Sequence, residues 1–470
     1  MTPLADNLHD NPPKKRFYEI SYRVALPLLV MLDMLGVSLV VPLLSSRYFP
    51  LAGVTSAVQR EWLASVYSGS QIVGGLLIGA LADSHVLSRH TILCVSFLGS
   101  AFAYAMILQG GFAAILVSRC TVGLVKQTMT VTSSIVAHST LEHERAIHMG
   151  RLSASMTVAW IVGPSAGAYL SSHFGIYSPI YVSCSLFLLN ALLALFCLPK
   201  EEDDQDETAN TDKKEQEQPK QSAVARILLN FQACFNSNNP CLTSTVLALL
   251  LFQWFVKATQ YAGISTYYET RYGTEPHQRG YLSSFQAALS FVVQSSLVKS
   301  ILNFIGGEVN AACAASLLMA MVSFAEVQVT FIQYLALICP LRAIAIAILG
   351  VSLKSTVSKV APKASLSSVF ATIDVLQNVA MVTVPFYRTM LFQMTQPDND
   401  SANTSDDIVQ ITGDPDPRQW LITSAWHWLV ATAAFSYLLL QGNPCAGEGD
   451  DVTDDKKKNE QSLGEKIKTS

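Results

Sequence analysis

Stretches of about 20 apolar residues recur twelve times along the 470-residue chain, and that repetition restricts the fold more than any other feature. A hydrocarbon slab about 30 Å thick is crossed by roughly 20 residues of helix. The stretches lie near 22 to 44, 62 to 82, 90 to 109, 112 to 136, 150 to 172 and 177 to 198, then near 241 to 268, 280 to 299, 309 to 328, 330 to 353, 365 to 393 and 418 to 441. Inside the slab no water bonds the peptide groups, so segments of this length must satisfy their own backbone as helices. The sequence therefore predicts an all-α membrane protein of twelve transmembrane helices in two six-helix bundles. Composition agrees, with 50% apolar and only 14% charged residues, a balance foreign to ordinary soluble domains.

Charge divides the chain further. The expected layout is an N-terminal tail over 1–21, a first bundle over 22–198, a linker over 199–240, a second bundle over 241–441 and a C-terminal tail over 442–470. From Glu201 the linker reads EEDDQDETANTDKKEQEQPKQ, a solvated segment whose single apolar residue is Ala209. Its later part carries Leu228, Leu229, Phe231 and Phe235 beside polar positions, which suits either an interfacial helix or a plain connector. The N-terminal segment has no leader-like pattern, so the first helix is expected to be retained.

Lys14, Lys15, Arg16, Arg23, Arg89, Arg145, Arg151, Lys299, Lys354, Lys359 and Lys363 fall on one side of the alternating segments, while only Arg47, Arg60, Arg271, Arg279, Arg388 and Arg418 fall on the other. The imbalance predicts that both termini face the cytoplasm. The loop near 396 to 417 then lies outside, and its Asn399 and Asn403 head two glycosylation sequons. Nine cysteines are scattered mostly through apolar stretches without CxxC or His partners, so packing is their expected role, and no metal or cofactor is expected. No GxGD, HExxH or GxSxG lies at membrane depth, so an enzyme is not expected. Nor does the small net charge of −4 point to nucleic acid. The lipid bilayer is the partner the sequence names; protein partners and the membrane of residence are not legible.

Ionisable side chains at bilayer depth cost several kcal/mol unless they face protein or water, and so mark functional positions. Asp33 lies in the first span, Arg119 and Lys126 in the fourth, Lys257 in the seventh and Arg342 in the tenth. Arg119, Gly123 and Lys126 fall at i, i+4 and i+7, one helical face with two cations and a glycine between. Gln253, Lys257 and Gln260 share a face of the seventh span, with Trp254 and Tyr261 seven residues apart beside them. Asp374, with Gln377 and Asn378, makes a second acidic position on the eleventh span. For Asp33 two readings stay open: a proton carrier whose pKa responds to burial and a mobile cation, or a structural partner of Arg119 or Lys126.

Several short motifs carry a resemblance. Gly79-Ala-Leu-Ala-Asp83 ends the second span, followed at Arg89 by a single basic residue. Arg119-Cys-Thr-Val-Gly123 lies in the fourth span. Gly150, Ala159, Gly163-Pro164 and Gly167-Ala168 pattern the fifth, and Leu32-Asp33-Met34-Leu35-Gly36 with Pro42 the first. Together they resemble the signature motifs of the major facilitator superfamily, in its tetracycline and multidrug exporter-like branch. The resemblance implies a conformational brace at Gly79, Asp83 and Arg89, lacking the usual glycine and double basic pair. It also implies an arginine linked to proton transfer at Arg119, and a kinked, close-packed fifth helix at Gly150, Gly163, Pro164 and Gly167.

The function expected from these residues is secondary transport of a small organic solute by alternating access around a midplane site, with protons exchanged through Asp33. A facilitative uniporter needs the same cavity without a titrating carboxylate. A non-transporting receptor or scaffold is the remaining alternative, supported only by the incomplete brace. The excess of cavity cations over Asp33 suits an anionic solute better than the cationic drugs that the exporter-like branch carries.

Overall fold

The computed structural model describes residues 24–83, 87–139, 142–198, 240–259, 268–269, 271–275, 277–361, 366–394 and 416–440. The tails, the 199–239 linker, Gln260, Tyr261 and both sequons lie outside these residues. Every described element is helical, and a helical stretch occupies each of the twelve expected spans. The first runs Leu26–Leu51, the second Ala57–Asp83, the third Arg89–Ile107, the fifth Glu142–His173 and the sixth Ser178–Cys197. The seventh is Pro240–Thr259, the ninth Glu308–Glu326, the tenth Phe331–Val360 and the eleventh Leu366–Met394. The eighth joins Gln278–Val292 to Val298–Ile305 through a π-helical turn, and the twelfth passes from Pro417–Phe435 into another. Among the described residues, six of these helices are long and apolar enough to cross a membrane by themselves.

The fourth span departs from expectation. In place of one helix over 112–136 there are two, Phe112–Val125 and Thr128–Ser139, with Lys126 (φ −81°, ψ 78°) at the centre of an inverse γ-turn closed by Gln127 N to Val125 O at 2.9 Å. Val125, Thr128, Thr130, Val131 and Thr132 crowd this stretch, and β-branched side chains resist helical packing. Hydropathy cannot register such a break, because an apolar helix and an apolar turn score alike.

Polar and apolar residues exchange their usual places. Phe196, Phe304 and Ile332 are 78%, 91% and 78% exposed, whereas Ser38, Ser96, Ser118, Ser183 and Asn190 are fully buried. An apolar outside with small hydroxyls inside fits lipid as solvent. The buried groups bond across helices: Ser183 Oγ donates to Gly36 O at 2.7 Å, Ser38 Oγ to Ala159 O at 2.9 Å and Asn190 Nδ2 to Leu29 O at 3.0 Å. Six described cysteines lie buried or half-buried among the helices, and no disulfide joins them.

Two compact units result. One holds the first six spans and the described parts of Gln260–Phe291 and Asn378–Trp420; the other holds the rest of spans seven to twelve. The eighth span changes unit at Phe291/Val292, where its π turn begins. In the second unit Leu249, Phe252, Phe255, Trp428 and Phe435 pack one core. At the edge of that unit Glu308 accepts from Lys359 Nζ and Ser355 Oγ at 2.8 and 2.6 Å.

Close backbone approach organises the first unit. A Cβ built on Gly163 would stand 1.8 Å from Ser38 Oγ, and one on Gly167 would stand 2.1 Å from Leu39 O, so the fifth span lies directly on the first. Gly74 meets the Leu124 backbone and Gly123 meets Ser70 and Tyr67, bringing the second and fourth spans equally near. Gly150, by contrast, faces open space. Gly167→Ala should therefore cost about 1–3 kcal/mol or more, because a backbone carbonyl cannot yield. Gly150→Ala should add roughly 0.5–1 kcal/mol from helix propensity. Thermal unfolding of the two purified variants measures the contrast, and equal melting temperatures would remove glycine contact as the organising feature.

Candidate functional site

The break in the fourth span opens onto a cavity of about 480 Å³ within the first unit, a volume suited to a small organic solute. Met34, Val37, Leu63, Val122 and Trp160 make its apolar wall; Tyr67, Gln71, Tyr104, Arg119, Lys126 and Thr128 supply polar groups. Irregular backbone at membrane depth is tolerated where it lines such a space.

Asp33 is fully buried, and Lys126 Nζ donates to its Oδ1 at 2.6 Å. The other oxygen, Oδ2, makes no hydrogen bond to the protein. The γ-turn is what swings Lys126 off the helix toward the first span, where its ammonium also lies 4.9 Å from the centre of the Phe187 ring. Of the two cations that could have met Asp33, the geometry selects Lys126. Arg119, 7% exposed, stays on the helix: its Nη2 donates to Ser118 Oγ at 3.3 Å, its Nε has no acceptor, and no described carboxylate pairs with it. Below the turn Gln127 Nε2 donates to Gln71 O at 3.2 Å, and Thr128 Oγ1 lies 3.3 Å from Ser96 Oγ.

The remaining sequence candidates are distributed otherwise. Gln253 and Lys257 are half-buried on the Pro240–Thr259 helix, in the second unit, whereas the Asp33–Lys126 pair belongs to the first. Arg342 donates through Nη2 to Glu326, a buried acid of the ninth span, so it already has a counter-ion inside the second unit. Asp374 lies on the Leu366–Met394 helix, and Gly79 and Asp83 lie on the last turns of Ala57–Asp83. Arg89 opens the third span behind Ser88, whose Oγ accepts from Thr91 N at 3.2 Å. Pro164 lies inside the Glu142–His173 helix and makes a contact of its own: a Cβ on Gly280 would stand 2.3 Å from Pro164 O, and Ser165 N donates to Ser284 Oγ at 2.9 Å.

Sequence reading misses one ionic cluster. Glu61, 1% exposed, accepts from Arg388 Nη2 at 2.6 Å and Nε at 3.1 Å, joining the second span to the eleventh inside the first unit. By sequence Arg60 and Arg388 belong with Arg47, Arg271 and Arg279 among the outside cations; Glu61 stands at a span edge, where charge is ordinary and nothing marks it. Glu269, in the segment after the seventh span, belongs to the same end. Burial pushes its carboxyl up to about 7, opposed by Arg279, Arg47 and Arg60. A carboxyl that keeps its proton longer in the folded state than in the unfolded chain stabilises the fold at acid pH, and that contribution is lost as pH rises from about 4.5 to 7. The purified protein should therefore melt higher at pH 5 than at pH 8, with Glu269→Gln flattening part of the difference. An unchanged slope in the variant would exclude Glu269 as its source.

Comparison with known proteins follows the same lines. A family model described as Major Facilitator Superfamily matches residues 26–385. Tetracycline resistance protein, class C, of Escherichia coli is 29% identical over 171 residues, covering 36% of this chain and 42% of that protein. Human major facilitator superfamily domain-containing protein 10 is 25% identical over 217 residues, 40% of this chain and 45% of its own length. The chain thus spans less than half the length of these curated relatives. Among solved structures, the nucleoside transporter NupG superposes with a TM-score of 0.65 at 13% identity, over 89% of this chain and 98% of that one. The human organic anion transporter MFSD10 (TETRAN) gives 0.57 at 18%, over 90% and 100%. At such identities the likeness speaks for the fold, twelve helices in two six-helix bundles.

Proposed function

Because the chain belongs to the Major Facilitator Superfamily, we propose that this multi-pass membrane transporter carries a small organic anion by alternating access, coupled to protons at Asp33. The observation that carries the reading is the charge balance of the cavity. Lys126 neutralises Asp33, which leaves the buried Arg119 guanidinium without a carboxylate among the described residues. An unpaired buried charge is costly, and a solute anion relieves it. A fold neighbour named as an organic anion transporter is in keeping with this sign.

Protons enter through the same pair. The sequence leads to an expectation of exchange, in which solute and proton compete for one carboxylate. Lys126 already occupies that carboxylate, so an anion gains most when Asp33 is protonated and the ammonium is released to it. Proton and anion then bind together and travel in one direction, while exchange is the mode of a cationic solute. In this reading the 199–240 linker joins the two bundles on the cytoplasmic side with both termini, and Asn399 and Asn403 carry glycans outside. Within the family, we read the Leu32–Gly36, Arg119–Gly123 and Gly163–Ala168 motifs as resembling the eukaryotic group called major facilitator superfamily domain-containing protein 9.

Purified protein in liposomes tests the proposal. Uptake of organic anions should rise when the outside is made acid, and Asp33→Asn should remove the gradient dependence with a loss of about tenfold or more, the scale of one lost charge-assisted contact. Stimulation by the opposite gradient would restore exchange, and uptake indifferent to pH would indicate a uniporter. Failure to move either anions or cations would end the transport reading.

A further inference from the structure

The broken fourth span leaves a helix start inside the membrane-spanning region. Val131 N is the first amide of the Thr128–Ser139 helix to bond back, to Gln127 O at 3.0 Å. The amides of Thr128, Met129 and Thr130 consequently have no intrahelical acceptor, and the positive end of the helix dipole lies with them. All three residues line the cavity. Gln127 does not serve as an ordinary cap: its Nε2 is spent on Gln71 O, and its Oε1 is the distant 3.5 Å acceptor of the Thr130 hydroxyl.

A second, independent feature faces the same cavity. Arg119 is more than nine-tenths buried, its Nε has no acceptor, and it stands about 10 Å up the helix axis from Lys126, two turns of rise. Lys126 itself sits at the turn between the two donors. Residues carrying three kinds of positive group thus line one cavity: first-turn amides, an ammonium and a guanidinium.

We propose that the first turn of the Thr128–Ser139 helix is the solute's carboxylate subsite. The amides of Thr128, Met129 and Thr130 receive the carboxylate, Lys126 pairs with it once released from Asp33, and the Arg119 guanidinium, the charge left over in the same cavity, draws the anion in from the far end. The apolar wall of Met34, Val37, Leu63 and Trp160 covers the aryl or alkyl body between them. The ligand class is an elongated organic carboxylate. This deepens the anion reading of the cavity and rests on it.

The test uses full-length protein in detergent and two probes that differ only in charge, 4-phenylbutyrate and 4-phenylbutanamide, read by thermal shift. Wild type should be stabilised by the carboxylate and not by the amide. Thr128→Pro removes one first-turn amide at the first helical position, where proline is tolerated, and it should lose at least about tenfold more carboxylate affinity than Thr128→Ala, which keeps the N–H. Thr130→Glu supplies a carboxylate from within, as an N3 glutamate does in a capping box. It should melt no lower than wild type and lose the carboxylate response. If both variants keep wild-type affinity while Arg119→Gln loses it, the subsite is overturned and the anion reading survives. If wild type does not distinguish the two probes, the subsite is overturned outright, and the liposome fluxes decide the transport reading separately.

Discussion

A peptide group in hydrocarbon has no water to fall back on, and everything else in this molecule answers to that constraint. It makes each span a helix, turns serine and asparagine inward to bond carbonyls of neighbouring helices, and leaves Phe196, Phe304 and Ile332 on the outside. It also gives the interruption at Lys126 and Gln127 its meaning. A γ-turn at that depth survives because it borders a cavity and because its neighbours supply bonds, Gln127 to Gln71 and Thr128 to Ser96.

Charge is handled by the same economy. Lys126 with Asp33, Arg342 with Glu326 and Arg388 with Glu61 are buried or part-buried pairs, each between different spans of one unit. Buried pairs are weak contributors to net stability but expensive to break singly, so they fix partners better than they add strength. Arg119, buried against the same cavity, has no carboxylate partner among the described residues, so its charge is not fixed to a neighbouring span in this way.

Much of the fold was legible in advance. Span positions followed from apolar runs, and Gly163 and Gly167 were recognisable as contact glycines before their neighbours Ser38 and Leu39 were known. Asp33 could be singled out, and Lys126 stood among its possible partners, because intramembrane charge is rare enough to be informative. What escaped was of two physical kinds. The break in the fourth span left hydropathy unchanged, so no one-dimensional pattern carried it. Glu61 and Glu326 stood at span ends, where charges are ordinary, and only their three-dimensional partners Arg388 and Arg342 set them apart. Gly150 erred the other way, a small residue in a packing motif that faces open space.

The contact between the first and fifth spans has one more consequence. With glycine hydrogen in place of side chains, and Ser38 bonded to Ala159 O, the two backbones are locked in register as a single beam. Asp33 is mounted on one rail of that beam, and the Pro164–Ala168 segment, which carries Gly280 and Ser284 of the eighth span, belongs to the other. Asp33 and the eighth span thus meet through one close-packed helix pair, so neither rail can shift along the other without breaking the Ser38–Ala159 bond or opening the glycine contacts.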